Sequence, residues 1–280
     1  MASIGASAAG PSRRPGARVA ARGALQSAAL GAIGLLIMLG LWAALAAVSS
    51  NLKVPPPGEV FTALRSDWSN IPALNYITFT RGGIGDALEY TFVNVIVAVG
   101  IGTIIAVPLG VFLGRVRTAS LVLEPALLTL GTIPLLIVLP FITLWFGTAR
   151  LAQSGLVLIF ALLTVTFATQ SAALTVSDHY SNFAACLGAS RARTLWTVVL
   201  PAAVPTILAA VRIGLAAGWG WECVAELLGA QHGVGRVIQV TSQTDATADL
   251  FATLLCLAVV AVAVDGVVAA VGGFYVRWKE

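Results

Sequence analysis

Six stretches of the chain are too long and too apolar for water-facing helices. Ala28–Val48 runs for 21 residues without a charge, and about 20 apolar residues cross a hydrocarbon core as a helix. Further runs lie at about Tyr90–Gly114, Leu121–Phe146, Leu151–Val176, Val204–Leu228 and Leu250–Phe274. Pro108 falls inside the second run, and Pro134 and Pro140 inside the third. They predict bends there, since membrane helices keep proline where neighbours satisfy the freed carbonyls. The first run follows arginines and contains Ala44-Leu45-Ala46, as a cleavable signal would. It exceeds the roughly 7–15 residues of a signal core, so it reads as a retained helix.

Composition supports a polytopic membrane protein. Of 280 residues, 58% are hydrophobic and 10% charged, against about 25% charged in a soluble domain. This excludes a simple soluble enzyme, a disordered protein and a disulfide scaffold. Cys186, Cys223 and Cys256 are far apart and lack metal-ligand spacing, so they read as buried small residues. The net charge of +4 comes from scattered cations and disfavours a nucleic-acid partner.

The cations set the topology. With both termini cytoplasmic, inner segments hold Arg13, Arg14, Arg18, Arg22, Arg115, Arg117, Arg191, Arg193, Arg277 and Lys279. Outer segments hold only Lys53, Arg65, Arg81, Arg150 and Arg236. This positive-inside bias fits six spans. Residues 1–24, rich in Ala, Gly, Ser and Arg, are expected to be a disordered cytoplasmic tail, and 25–280 the transmembrane domain. Pro55-Pro56-Pro57-Gly58 predicts a rigid outer turn before an amphipathic helix at Glu59–Trp68.

The cytoplasmic segment 177–201 carries the clearest pattern. Asn182-Phe183-Ala184-Ala185-Cys186-Leu187-Gly188 is followed, nine residues on, by Val198-Val199-Leu200-Pro201. A short helix with a small-residue face would end at Gly188, which permits positive φ. Arg191–Leu200 would form a second helical piece, and Leu200-Pro201 would start the return to the membrane. A helix of this kind can dock in a partner's groove; on spacing alone an ordinary loop helix fits equally well.

With these residues in place, the chain resembles the permease subunit of bacterial binding-protein-dependent ABC importers. Ala184, Gly188, Leu200 and Pro201 fall in register with that family's Glu-Ala-Ala signature, and Val198 replaces its Ile. Val54-Pro55-Pro56-Pro57-Gly58-Glu59-Val60, Pro108-Leu109-Gly110, Leu144-Trp145-Phe146-Gly147, Arg212-Ile213-Gly214, Ala225-Glu226 and Gly233-Val234-Gly235 resemble the nitrate/sulfonate/taurine-type branch. The resemblance covers about residues 30–278. It implies an all-α, type I importer fold and a permease dimer around a central path. It also implies two cytoplasmic ATPases seated on the 181–201 loops and an extracytoplasmic binding protein that delivers a small solute. The coupling residues would be Asn182, Phe183, Ala184, Ala185, Gly188, Ala189, Arg191, Leu200 and Pro201. The signature acid is Asn182 here and a usually small position is Phe183, so the carboxylate for a salt bridge to the ATPase is missing. The chain has no GxxxxGK[ST] phosphate loop, so ATP and Mg would belong to the partner and this chain would not be an enzyme.

Ionisable residues inside a membrane are candidates for function. We read four: Arg212, Glu222 and Glu226 in the fifth span and Asp265 in the sixth. Arg212 lies roughly 12 Å and Asp265 roughly 18 Å from the cytoplasmic side at 1.5 Å per residue, which predicts an ion pair or a shared network. Glu222 and Glu226 share one helix face and would repel each other. Glu226 reads first as a structural hydrogen-bonding group. Glu222 sits in Gly218-Trp219-Gly220-Trp221-Glu222, and Trp219, Trp221, Glu222 and Glu226 are the expected substrate-path candidates. The competing reading for them is an interfacial aromatic belt with a solvated carboxylate. His179 and His232 read as loop surface residues, and no cluster has metal-ligand spacing. A secondary transporter, or a membrane anchor or sensor subunit without transport, remains the alternative. The absence of an internal repeat weighs against the former.

Overall fold

The computed structural model describes residues 17–49, 53–78, 82–147, 150–175, 183–184 and 186–276. The chain divides into two units, Met1–Gly58 and Glu59–Glu280. In the first, α1 is Ala17–Val48, and its part Ala29–Val48 is apolar on all sides, as a membrane helix is. It starts inside the expected disordered tail of residues 1–24, whose first 16 residues lie outside the described ones. The reason is local: Ala17-Arg18-Val19-Ala20-Ala21-Arg22 is rich in strong helix formers. After α1, the Trp42 indole donates to the Pro55 carbonyl at 3.1 Å, which ties down the proline turn.

The second unit contains α2 from Glu59 onward (the helix is Pro57–Ser66), α3 (Pro72–Thr78), α4 (Ile84–Arg115), α5 (Arg117–Thr132), α6 (Leu135–Phe146) and α7 (Arg150–Thr175). It continues with α8 (Arg191–Thr194), a π-helical turn Leu195–Val199, α9 (Leu200–Gly229), α10 (Val234–Gln243) and α11 (Thr247–Val276). Its core is the triple seam of α4, α7 and α9, where Val95, Ala98, Val99, Val157, Ala161, Leu215 and Trp219 are buried together. Without a hydrophobic drive between helices in lipid, close backbone approach supplies the association. Gly110 shows how close: a Cβ there would sit 2.5 Å from the Thr166 carbonyl oxygen on α7.

Among the described residues, five helices are long and apolar enough to cross a membrane, and α5 with α6 makes a sixth as a pair bent by 94°. The expected third span, Leu121–Phe146, is therefore broken rather than bent. Pro134 forces Ile133 into an extended conformation (φ −70, ψ 123). The carbonyl of Pro134 then accepts the Ile137 N–H at 2.9 Å and restarts the helix. α4, by contrast, runs unbroken through Pro108. A second departure lies at Leu200-Pro201. The helix does not begin there but continues from α8 through the π turn, and the apolar span reaches Leu195–Gly229. Pro201 lacks the N–H that would bond the Thr197 carbonyl, and Leu200 N–H reaches back five residues to Leu195. That is the geometry of a π bulge.

The seam generates a prediction. Gly110→Leu overpacks it and should destabilise the protein by about 1–3 kcal/mol, read as a lower midpoint of thermal unfolding in detergent. Gly100→Ala, where a Cβ meets nothing within 4 Å, should hold the midpoint or raise it slightly, since alanine is the better helix former.

Candidate functional site

The outer end of the seam, by the charge topology, holds a polar network built around the two glutamates. Glu226 lies in the last turn of α9 and is 0% exposed. Its carboxylate accepts the Thr91 hydroxyl at 2.7 and 2.9 Å and the Gly235 N–H at 2.8 Å. Thr91 in turn accepts the Val234 N–H at 2.9 Å. The first two N–H groups of α10 are thus held by a carboxylate and by the hydroxyl that donates to it, the preferred partners of a helix N-terminus. Gly233 turns the chain at φ +98, and a Cβ on Gly235 would lie 2.2 Å from the Cys223 carbonyl oxygen. Ala225-Glu226 and Gly233-Val234-Gly235 are therefore two halves of one corner.

Glu222, one turn deeper, is also 0% exposed. Its Oε1 accepts Asn94 Nδ2 at 2.7 Å and the Ser154 hydroxyl at 3.4 Å. Asn94 Oδ1 accepts Arg150 Nε. Arg150 also reaches the Tyr90 carbonyl at 3.4 Å, and its guanidinium lies 4.5 Å from the Tyr90 ring centroid. Asn94 thereby joins a buried carboxylate on α9 to an exposed arginine on α7. Glu222 Oε2 has no hydrogen-bond partner among the described residues.

Of the expected substrate-path residues, Trp219, Glu222 and Glu226 are buried and Trp221 is half-buried. Glu222 and Glu226 face inward and do not confront each other as free like charges, because donors from α4, α7 and α10 meet them separately. Trp219 is buried, 6.2 Å from Phe92, and Trp221 packs 6.4 Å from Phe160. The exposed strip of α9 is instead Thr206, Ala209, Arg212, Ile213, Ala216 and Gly220.

Arg212 and Asp265 form a bidentate pair, Nε–Oδ1 and Nη2–Oδ2 both 2.7 Å. Their side chains are 44% and 42% exposed on the chain. The pair sits beside a groove of about 420 Å³ between Leu215–Trp219 of α9 and Leu254–Asp265 of α11. A fifth ionisable residue within the expected apolar spans, Glu124, escaped the count of four. It accepts the Ser120 hydroxyl at 2.5 Å and Gln170 Nε2 at 2.8 Å.

On the cytoplasmic side, Leu187 N–H bonds Phe183 O at 3.2 Å and Ala189 N–H bonds Ala184 O at 3.0 Å. Gly188 closes this turn at φ +81, the left-handed stop common at helix ends. Phe183 and Leu187 are 62% and 74% exposed. With Ala184, Ala189, Arg193 and Thr197 they line a groove of about 430 Å³. Ser190 caps α8 through the Arg193 N–H at 3.3 Å. Leu200 and Pro201 lie where the π turn meets α9. Asn182 and Ala185 lie outside the described residues, and Arg191 is described in its backbone alone.

Long apolar helices, buried polar ties at one end and an exposed apolar groove at the other define a multi-pass membrane transport permease. The chain belongs to the family of binding-protein-dependent transport system inner membrane components, whose model matches residues 106–274, more than half of it. It is a membrane-spanning permease subunit of an ABC importer and belongs in the inner membrane. It is 28% identical to the taurine transport system permease protein TauC of Escherichia coli over 81% of each chain. It is 30% identical to the putative aliphatic sulfonates transport permease SsuC of Bacillus subtilis, over 64% of this chain and 65% of that one. The nitrate import permease NrtB of Synechococcus elongatus is 26% identical over 73% of each. A chain of the inward-facing MetNI methionine ABC transporter shares the fold, with a TM-score of 0.61 at 20% identity, covering 68% of this chain and 95% of that one.

Two outcomes follow. Glu226→Gln replaces an acceptor oxygen at the start of α10 with an amide donor and weakens the corner by about 1–3 kcal/mol. Amide exchange at residues 233–237 should then accelerate while that of the α4–α7 seam stays slow. Asp265→Asn leaves Arg212 without its counter-charge within an apolar span. The yield of monodisperse protein should fall, and the double variant Arg212→Gln/Asp265→Asn should recover part of it.

Proposed function

We propose that this permease works as a dimer, driven by two separate cytoplasmic ATPases and fed by an extracytoplasmic binding protein. The observation that carries this reading is the cytoplasmic groove. Phe183 and Leu187 hold apolar side chains in the open on a turn fixed by Gly188, the form of a docking helix. ATP and Mg are held by the partner, and this chain transmits motion through residues 181–201 into α9, with which α8 and the π turn are continuous. A solute then passes along the exposed face of α9, from Gly220 to Thr206.

The solute is a small molecule with an oxyanion head. Taurine, aliphatic sulfonates and nitrate, named for the similar permeases, have that chemistry in common.

The test is copurification from native membranes in gentle detergent, followed by uptake in proteoliposomes. We expect a stoichiometric ATPase and ATP-dependent uptake of a sulfonate or nitrate. Gly188→Val places a β-branched residue at positive φ, at a cost of about 1–2 kcal/mol, and should cut ATPase recovery at least fivefold with membrane insertion intact. Uptake that persists without ATP would overturn the reading.

A further inference from the structure

The cytoplasmic end of α4 carries an apolar slot of about 310 Å³. Val107, Val111 and Phe112 form one wall, and Leu195, Trp196 and Leu200 the other. The π turn packs on α8 and α9 and stands off α4, and the slot is the gap between them. It runs from Val107 and Leu200 at the deep end to Arg115 and Leu195 at the cytoplasmic end. From Val107 to Arg115, α4 rises roughly 12 Å at 1.5 Å per residue. The hydrocarbon core is about 30 Å thick, so the slot is most of one leaflet long. Spread over that length, its volume leaves a mean cross-section of roughly 25 Å². That is the width of a single alkyl chain and not of a compact solute.

The two ends of the slot differ. The deep walls are aliphatic and offer water no polar partner. Toward the cytoplasm, Phe112, Val116 and Trp196 are 48%, 40% and 68% exposed, and an indole at a span's end stands where tryptophans gather in membrane proteins. The mouth is basic. Arg117 follows Val116, Arg193 precedes Leu195 by two residues, and both are exposed. No Asp or Glu stands among the described residues of 107–120 and 183–200. The charge at the mouth is therefore of one sign, and it lies on the side where the leaflet surface is negative. An apolar slot that opens between basic residues at this level matches a lipid in both its halves.

We propose that this slot binds an anionic phospholipid of the cytoplasmic leaflet. One acyl chain lies between α4 and the π turn, and the phosphate meets Arg117 and Arg193. With the chain in place, the π turn gains a neighbour on its α4 side. A π turn is a weak point in a helix and is found mostly at functional positions; here it is the joint between α8 and α9, and the lipid braces it. The site needs only the fold and the charge topology, and it holds whichever solute is carried.

Tryptophan quenching by lipids brominated on their acyl chains tests this, on the complex purified from native membranes and placed in nanodiscs. The Trp196 signal is the difference between the unaltered protein and Trp196→Phe. Brominated phosphatidylglycerol or brominated phosphatidylcholine is titrated into discs of plain phosphatidylcholine. We expect half-quenching of Trp196 at about a fivefold lower fraction of the phosphatidylglycerol. Arg117→Gln/Arg193→Gln should remove most of that preference with an unchanged melting midpoint, and glycerol 3-phosphate in the buffer should not relieve the quenching. Equal quenching by the two lipids on the unaltered protein overturns the site, whether or not the double variant is stable. A preference that survives intact in a stable double variant also overturns it. Absence of quenching by either lipid shows that protein covers the slot and overturns it. Relief by glycerol 3-phosphate makes the mouth an anion site served from water and overturns the lipid.

Discussion

A polar group in hydrocarbon must find its partner inside the protein, and the rest of this structure depends on that constraint. The clearest case is the contact between Glu226, Thr91 and the first two N–H groups of α10. A re-entrant corner inside or beside a bilayer leaves helix-terminal donors exposed, and here one carboxylate and one hydroxyl close them. The same contact fixes α9 to α4. One turn below, Glu222, Asn94 and Arg150 add α7 to the group. The outer end of the three-helix seam is held by directed polar contacts, and the middle by backbone proximity at positions such as Gly110.

This division suits a transporter. The inward face of α9 is committed to the seam, which leaves its other face free to change partners. That face is mostly small, with Arg212 and Asp265 as the charges beside it. A half-exposed ion pair within apolar spans does not suit lipid tails, so the surface around it belongs to water or to a neighbouring subunit. At the cytoplasmic end, the π turn at Leu195–Val199 makes α8 and α9 one continuous lever.

Much of this was legible in the sequence. The apolar runs and the arginine distribution gave the spans and their direction, because hydrocarbon thickness and positive-inside bias act on composition itself. The Gly188 stop and the Arg212–Asp265 partnership were legible for similar reasons: φ freedom and depth follow from residue type and position. The facing of Glu222 and Glu226 was not. Their i, i+4 spacing places them on one side of α9, but whether that side meets water or Asn94 and Thr91 depends on helix rotation. The useful signal was the occurrence of Thr91 and Asn94 three residues apart in an otherwise apolar span. The break at Ile133-Pro134 was underestimated because Pro108 and Pro134 look alike in sequence; one is held within a packed helix and the other at an exposed bend.

The central claim is that the buried acids hold the helices while the opposite face of α9 carries the solute. Cysteine accessibility during ATP turnover tests it most directly. In a background without native cysteines, single cysteines replace Ala209, Ala216, Gly220 and Ala225, and a charged methanethiosulfonate reagent is applied in water. The account predicts labelling at the first three positions, at rates that change when ATP is added, and none at Ala225. Labelling at Ala225 with silence at the other three would place the path on the glutamate side and contradict it.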